Sequence, residues 1–418
     1  MSGSVRSMSS ITHIQTSKNA PLDGIQSSRA WLKESDCVLQ DLIDVVEGSE
    51  TNIEHYPMAT ESIGNAVVYD RDRFVTKTSD TIPEDVGRAL EREMMHVFKE
   101  GPGIVVIRSA WYDLDVVDEC TNVFKDIIRE ERESGEAAGD HFGKPGANSR
   151  IWNAHEKLAV NNPDVFVRYY ANDVLPIVGR AWLGPNYQVT AQVNVVHPGG
   201  EAQQAHRDYH LGFMENADAE RFPAHVHGLA AAMTLQGAVA HCDMPVESGP
   251  TEYLPHSHKY EHGYLAYRDD GFADYFKNNY VQLPLSKGDA VFFNPALLHA
   301  AGDNKSESID RVGNLLQLSS AFGRSMETVD RARMCKYVYP KLLEYSGEND
   351  FTSEHLENVI MATAEGYSFP TNLDFDQPIG GLAPASQASL LRDAIESKSS
   401  YESFIKTLDA HTRRRASH

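Results

Sequence analysis

The stretch GDAVFFNPALLHA, residues 288–300, decides the fold of this chain. Lys287-Gly288 is a turn signal, and the apolar run after it predicts a short buried strand over residues 289–294. His299 stands just beyond that strand, where its imidazole is a candidate metal ligand. Because one histidine does not make a metal site, the remaining ligands must come from elsewhere in the chain.

The stretch AHRDYH, residues 205–210, supplies the matching ligands. His206 and Asp208 follow a predicted strand at residues 188–196 and a Pro-Gly-Gly turn. Together with His299 they give two imidazoles and one carboxylate, which is the ligand set of a non-haem Fe(II) facial triad. Two ligands from one strand end and one from a distant strand can meet inside a small barrel. Arg311, shortly after His299, suits the far carboxylate of a chelating co-substrate.

Other histidine pairs in the chain need separate interpretations. A second His-x-Asp string, His241-Cys242-Asp243, ends an apolar stretch beside a proline, and we predict a turn there. His225 with His227, and His256 with His258, are interpreted as loop or turn histidines and not as ligands. A cupin-type metal site built on these pairs stays open as an alternative.

The periodicity of apolar residues predicts a β core with helices before and after it. Residues 1–80 are polar and weakly periodic, and are interpreted as a tail and arm. Residues 81–323 form the predicted catalytic domain, and residues 324–418 a helical extension packed on it. Predicted helices cover residues 83–100, 114–133, 163–183, 326–345, 353–364 and 386–408, a Gly-rich loop covers 135–146, and predicted strands cover 104–107, 188–196, 228–240, 251–254, 281–283, 289–294 and 312–319.

Three strings in this order resemble the phytanoyl-CoA dioxygenase family. They are QAHRD at residues 204–208, ESGPTEYLPHSH at 247–258, and GDAVFFNPALLH at 288–299 followed by Arg311. The helix and strand that begin at Pro83 resemble the entry to the same family. The resemblance covers roughly residues 80–323. One departure is His256, which stands where the family usually has glycine.

The resemblance implies a fold, cofactors and roles. The family is a branch of the Fe(II)/2-oxoglutarate dioxygenases, so an α+β fold is expected with a double-stranded β-helix (jelly-roll, cupin-like) core. Iron is expected at His206, Asp208 and His299, and O₂ as the oxidant. Arg311 is expected to bind the C5 carboxylate of 2-oxoglutarate, with Gln204 and Thr251 hydrogen-bonding the co-substrate. The expected reaction is oxidation of a small molecule, hydroxylation by default, with release of succinate and CO₂.

Candidate substrate residues follow the Gly-rich loop or adjoin the triad. They are Arg150, Trp152, Asn153, Tyr209 and His210. Residues 212–227 are longer than the family segment and are predicted to form a lid. A specialised metabolite is the expected substrate, since no basic stripe is evident for the phosphates of coenzyme A. A non-catalytic protein that keeps the barrel, or a cupin-type metal protein independent of 2-oxoglutarate, remains the alternative.

Composition bounds the partners and the compartment. The formal net charge of −22 argues against nucleic acid and anionic membrane surfaces, since both select basic faces. The four cysteines lie far apart, and no apolar run approaches the length of a transmembrane span. The N-terminus lacks an apolar signal core. We therefore expect a cytoplasmic protein, and a homodimer is possible.

Overall fold

The computed structural model describes residues 30–75, 81–135 and 147–417. Residues 136–146 of the predicted Gly-rich loop and most of the predicted N-terminal tail lie outside this part of the chain. The strands are β1 Glu61–Ile63, β2 Ala66–Asp70, β3 Ile104–Arg108, β4 Asn148–Ile151, β5 Gln188–Val196, β6 Thr234–Ala240, β7 Glu252–Leu254, β8 Val281–Gln282, β9 Ala290–Phe293, β10 Leu298–Ala300 and β11 Arg311–Ser319.

The α-helices lie before, within and after the strands. They are α1 Leu39–Glu47, α2 Glu84–Lys99, α3 Leu114–Ser134, α4 Ala154–Asn161, α5 Pro163–Tyr170, α6 Val174–Leu183, α7 Asn216–Ala219, α8 Ala224–Ala232, α9 Gly263–Ala266, α10 Asp270–Asn279, α11 Arg331–Tyr345, α12 Ser353–Thr363, α13 Gln387–Glu396 and α14 Tyr401–Arg415. None of the helices in the described ranges is long and apolar enough to cross a bilayer.

Two sheets form the β core. The larger has eight strands in the order β1-β2-β3-β9-β6-β11-β5-β4, and the smaller has the order β10-β7-β8. All neighbours are antiparallel except β2 and β3. The prediction of an α+β fold, with a β core between helices, is confirmed.

Strand alternation separates the helical core from the cavity. In β5, Val189, Ala191 and Val193 pack into the large apolar core that also contains helix residues, whereas Gln192 and Asn194 line a cavity. Successive side chains of a strand point to opposite faces, so one strand serves both layers. A second, smaller apolar core contains residues of both sheets.

Several predicted elements differ from the structure. The long helix predicted at 163–183 is two helices, because the Asn172 side chain accepts hydrogen bonds from the backbone N–H groups of Val174 and Leu175 and starts α6. The helix predicted at 386–408 also divides, since Ser400 caps the start of α14.

The strand predicted at residues 228–240 begins only at Thr234, and the preceding alanine-rich residues form α8. Within the predicted arm, β1 and β2 extend the large sheet, so the sheet begins before the predicted boundary at residue 81. Their short apolar run, Ala66–Asp70, carried the signal for a strand.

Candidate active site

The backbone brings the two halves of the His/Asp motif together. The N–H of His206 donates to the carbonyl of His299 at 3.0 Å, and the N–H of His299 donates back at 3.1 Å. The Asp208 N–H donates to the Pro295 carbonyl at 3.1 Å. The segment that carries the first two ligands therefore runs antiparallel along β10, which carries the third.

The three side chains converge on one point. One ligand atom from each of His206, Asp208 and His299 lies within 4.8 Å of the others. The Nε2 of His206 is 3.7 Å from Oδ1 of Asp208, and the Nε2 of His299 is 3.4 Å from Oδ2. In the part of the chain that the structure describes, this is the one cluster of three or more His, Cys, Asp or Glu side chains suited to a metal ion.

Backbone contacts orient both imidazoles for metal binding. The Nδ1 of His206 is 2.8 Å from the Gln204 carbonyl, and the Nδ1 of His299 is 2.8 Å from the Leu297 carbonyl. A carbonyl only accepts, so each Nδ1 is assigned the proton and each Nε2 keeps its lone pair. An outer partner on the second ring nitrogen is typical of histidines that bind metals. This donor set fits Fe(II).

The protonation states also fit a divalent cation. Burial lowers the pKa of His206, and the neighbouring His299 lowers it further, so the ring stays neutral. Burial alone would raise the pKa of Asp208, but its close contact with His299, the nearby His206 and the hydrogen bond from Gln236 hold it below its ordinary value. Metal ligands must be deprotonated, and His206 and Asp208 meet this requirement.

Arg311 places a cation in the same cavity. Its guanidinium is buried, and among the described residues its hydrogen bonds are two long ones, 3.4 Å each, to the carbonyls of Ser248 and Gly302. Burial lowers the pKa of Arg311 to about 10, so the side chain stays charged at neutral pH. No carboxylate of the described residues forms an ion pair with it. A buried cation without a carboxylate partner suits an anionic ligand.

The cavity has a volume of about 600 Å³. The predicted co-substrate residues Gln204 and Thr251 line it together with the metal ligands and Arg311. Its other lining residues include amide side chains, two further arginines and several large apolar side chains. Among these are Gln192, Asn194, Gln236, Gln317, Arg150, Arg207, Trp152, Phe213, Tyr253, Leu283, Leu285, Phe293, Leu315 and Met326.

Two of the five predicted substrate residues line the cavity. The Arg150 guanidinium lies 5.1 Å from the Trp152 ring and donates to Oε1 of Gln192 at 3.1 Å. Asn153, Tyr209 and His210 are not in the cavity wall.

The backbone of these three residues has positive φ at the start of new elements. The N–H of Asn153 donates to Glu327 before α4, and Tyr209 and His210 open a short 3-10 helix, while the buried Tyr209 side chain stays close to Gln236 and Asp208. The end of that helix, α7 and the start of α8 lie within residues 212–227, the segment predicted as a lid.

The sequence interpretation missed four cavity amides. Gln192 and Asn194 on β5, Gln236 on β6 and Gln317 on β11 all face inward. The sequence did contain a signal for these residues. Polar side chains at alternate positions of an otherwise apolar strand share one face of the strand, and such a face lines a cavity and not an apolar core.

Arg207, between two of the ligands, anchors the metal-binding segment. Its guanidinium donates to the carbonyls of Ser257 and Tyr260, at 2.5 and 3.0 Å. A Cβ at Gly263 would lie 1.8 Å from the Arg207 Cζ, so only glycine fits there.

The remaining histidines serve the fold. His241 is buried with its ring nitrogens 2.8 Å from the Thr121 hydroxyl and 2.9 Å from the Tyr169 hydroxyl, and Asp243 accepts from the Lys287 N–H. His227, His256 and His258 contact the Ala219 carbonyl, the Lys259 ammonium and the Lys99 carbonyl, respectively, and His225 is exposed.

Comparisons with known proteins agree on one family. The model of the family "Phytanoyl-CoA dioxygenase (PhyH)" matches residues 88–313. The peroxisomal phytanoyl-CoA dioxygenase of Bos taurus is 43% identical over 60 residues, which is 14% of this chain and only 17% of that protein's length.

Solved structures similar to this chain include three proteins. They are the carbocyclase SnoK from nogalamycin biosynthesis (21% identity, 56% of this chain and 86% of that chain, TM-score 0.41), the epimerase SnoN from the same biosynthesis (17%, 56% and 82%, TM-score 0.38), and HygX from Streptomyces hygroscopicus with nickel and 2-oxoglutarate bound (17%, 57% and 91%, TM-score 0.36).

Proposed function

Since this chain belongs to the phytanoyl-CoA dioxygenase family, whose model spans residues 88–313, we propose that it is an Fe(II)- and 2-oxoglutarate-dependent dioxygenase acting on a small molecule. Its two facing sheets correspond to the double-stranded β-helix expected of that family. One observation carries the proposal. His206, Asp208 and His299 converge in the same cavity as Arg311, a buried cation without a carboxylate partner among the described residues.

Each residue has a defined task in this proposal. His206, Asp208 and His299 would hold Fe(II) through two Nε2 atoms and one carboxylate oxygen. Arg311 would bind the C5 carboxylate of 2-oxoglutarate through its planar fork, and Thr251 would hydrogen-bond the co-substrate. When bound, the iron would activate O₂, the oxidant, and 2-oxoglutarate would be oxidised to succinate and CO₂ as it takes up one oxygen atom.

The protein itself contributes the fixed positions of the metal-binding side chains and a cavity with apolar walls. The three metal-binding side chains lie on segments whose backbones are hydrogen-bonded to each other, so their geometry is fixed before the metal or the co-substrate binds. Tyr253, Leu285 and Phe293 give the cavity apolar walls that exclude bulk water. Hydroxylation is the proposed default outcome, with desaturation, epoxidation and rearrangement as alternatives. The carboxylate of Asp208 argues against halogenation, because it occupies the ligand position that a halide would need.

The substrate is proposed to be a small molecule with both apolar and hydrogen-bonding parts. A cavity of about 600 Å³ is in the size range of small-molecule sites. Trp152, Phe213 and Met326 offer apolar contact, and Arg150 with the cavity amides offers polar contact. We retain the proposal of a cytoplasmic protein, which four free cysteines fit, and of a homodimer.

Succinate formation tests the proposal without knowledge of the substrate. Purified protein is incubated in air with Fe(II) and 2-oxoglutarate, and succinate is quantified with each component left out in turn. Slow succinate formation that requires both components is expected. Binding of neither component would favour a non-catalytic barrel, and metal-dependent oxidation without 2-oxoglutarate would favour the cupin-type alternative.

A further inference from the structure

Gln236 contacts the carboxylate of the metal site from a neighbouring strand. Its Nε2 lies 2.5 Å from Oδ2 of Asp208 and donates to it. The Gln236 side chain is only 8% exposed and lines the same cavity as the three ligands. No motif contains Gln236, which is separated from Asp208 by 28 positions in the sequence.

The two oxygens of Asp208 have different surroundings. Oδ2 faces both Gln236 and the Nε2 of His299, whereas Oδ1 faces the Nε2 of His206 at 3.7 Å. A carboxylate is an acceptor only, so the amide NH₂ of Gln236 must be the group that points at Oδ2. We propose that Gln236 is a positioning residue that occupies Oδ2, so that Asp208 binds the metal through Oδ1 alone.

The number of oxygens matters for this site. A carboxylate can bind a metal through one oxygen or through both. A facial triad works by leaving positions open, and a second oxygen from Asp208 would occupy one that the chelating 2-oxoglutarate needs. The inference rests on the proposed function, since it concerns the same metal and co-substrate.

The strand that carries Gln236 is well suited to hold an amide still. β6 lies inside the large sheet, with Gln236 opposite Gln317 of β11 on one side and Phe293 of β9 on the other. A partner held on a paired central strand fixes a ligand more firmly than one on a loop.

Gln317 provides a matched control. It is also a buried glutamine, lines the same cavity and pairs directly with Gln236, but its Oε1 accepts from the Thr190 hydroxyl at 3.4 Å and not from the metal site. Replacing either amide by leucine removes the same group from the same cavity, and only one replacement removes the donor to Asp208.

The experiment measures binding and not turnover. Mn(II) affinity is determined by calorimetry for wild type, Gln236→Leu and Gln317→Leu, followed by 2-oxoglutarate affinity in each Mn(II)-saturated protein. Gln236→Leu frees Oδ2 to bind the metal, so it is expected to weaken 2-oxoglutarate binding to the Mn(II)-saturated protein roughly 10- to 100-fold, the range typical of losing an outer-shell partner. Gln317→Leu is expected to stay within about twofold of wild type for both Mn(II) and 2-oxoglutarate.

The outcomes separate this inference from the proposed function. Wild type that binds neither Mn(II) nor 2-oxoglutarate defeats the proposed function. Wild type that binds both, with Gln236→Leu unchanged or Gln317→Leu equally weakened, overturns the role of Gln236 alone. Circular dichroism checks the fold of each variant. If Gln236→Leu does not fold, it is replaced by Gln236→Met, because the methionine side chain is unbranched and similar in length to that of glutamine.

Discussion

His206 and His299 lie 93 positions apart in the sequence and are joined by two reciprocal backbone hydrogen bonds, of 3.0 and 3.1 Å. Their ring centroids are 4.5 Å apart. The metal site is therefore set by strand-like pairing of the main chain, and the side chains inherit its geometry. Substitution of a ligand side chain should leave this pairing intact while removing the metal.

Asp208→Ala should weaken Mn(II) binding by roughly 100-fold or more, since loss of a ligand costs at least as much as loss of an outer partner. The second His-x-Asp string offers a matched control, because within the described part of the chain the Asp243 carboxylate accepts from the Lys287 N–H and lies outside the metal cluster. Asp243→Ala should bind Mn(II) like wild type. Equal losses in the two variants, measured by calorimetry, would remove Asp208 from the site.

Arg311→Ala should raise the 2-oxoglutarate concentration required for half-maximal succinate formation. Loss of one partner of a buried charged pair costs about 2 kcal/mol or more, which is roughly 30-fold in affinity. Arg324→Ala, at an exposed position outside the cavity, is the control. An unchanged requirement in Arg311→Ala would mean that another group binds the far carboxylate.

His256 has a left-handed backbone, with φ of +68°, at the position where the family usually has glycine. A side chain there carries a conformational cost, and alanine keeps that cost while losing the histidine contacts. His256→Gly should therefore be more stable than His256→Ala by about 1 kcal/mol in urea unfolding. Equal stability of the two variants would show that this turn relaxes without strain.

The pKa values of three histidines predict how stability depends on pH; His155 and His241 are buried, and His258 is half-buried. Burial lowers the pKa of His155, His241 and His258 to about 3, from an ordinary value near 6.5. Below about pH 6.5 the unfolded chain takes up protons that the folded chain refuses, so stability is complete above that pH and declines as pH falls toward 3. At pH 5.5 the loss should be about 1 kcal/mol for each histidine.

Urea unfolding at pH 7.5 and 5.5 measures this dependence. His155→Gln should show a smaller loss between the two pH values than wild type, whatever its own stability. His225→Gln alters an exposed histidine and should keep the wild-type dependence. A wild-type protein as stable at pH 5.5 as at 7.5 would contradict the neutral, buried state of these rings.

Local sequence patterns predicted the helices and strands better than they predicted the interruptions between them. β5 has the predicted bounds, and β11 begins one residue before the predicted start, because long alternating or apolar runs between turn residues leave little ambiguity. The division between α5 and α6 was missed, since the side chain of Asn172 ends an apolar pattern that continues beyond it. β1 and β2 join the large sheet because β2 pairs with β3, and a local sequence pattern does not indicate that pairing.

The same limit applied to the site: residues in sequence motifs were predicted, and residues brought together only by strand pairing were not. Residues within motifs, the triad and Arg311, converge in one cavity as the sequence suggested. Gln236 and Gln317 were missed because they belong to no motif and become neighbours only through the register of β6 and β11. Tyr209 was predicted to contact the substrate because it adjoins Asp208 in sequence, but it does not line the cavity, and its positive-φ backbone precedes a short 3-10 helix.

A crystal structure with Mn(II) and 2-oxoglutarate tests the central claim most directly. The metal is expected on the Nε2 atoms of His206 and His299 and one oxygen of Asp208, with the C5 carboxylate of 2-oxoglutarate on the Arg311 guanidinium. Manganese bound elsewhere, or 2-oxoglutarate bound away from Arg311, would contradict the account.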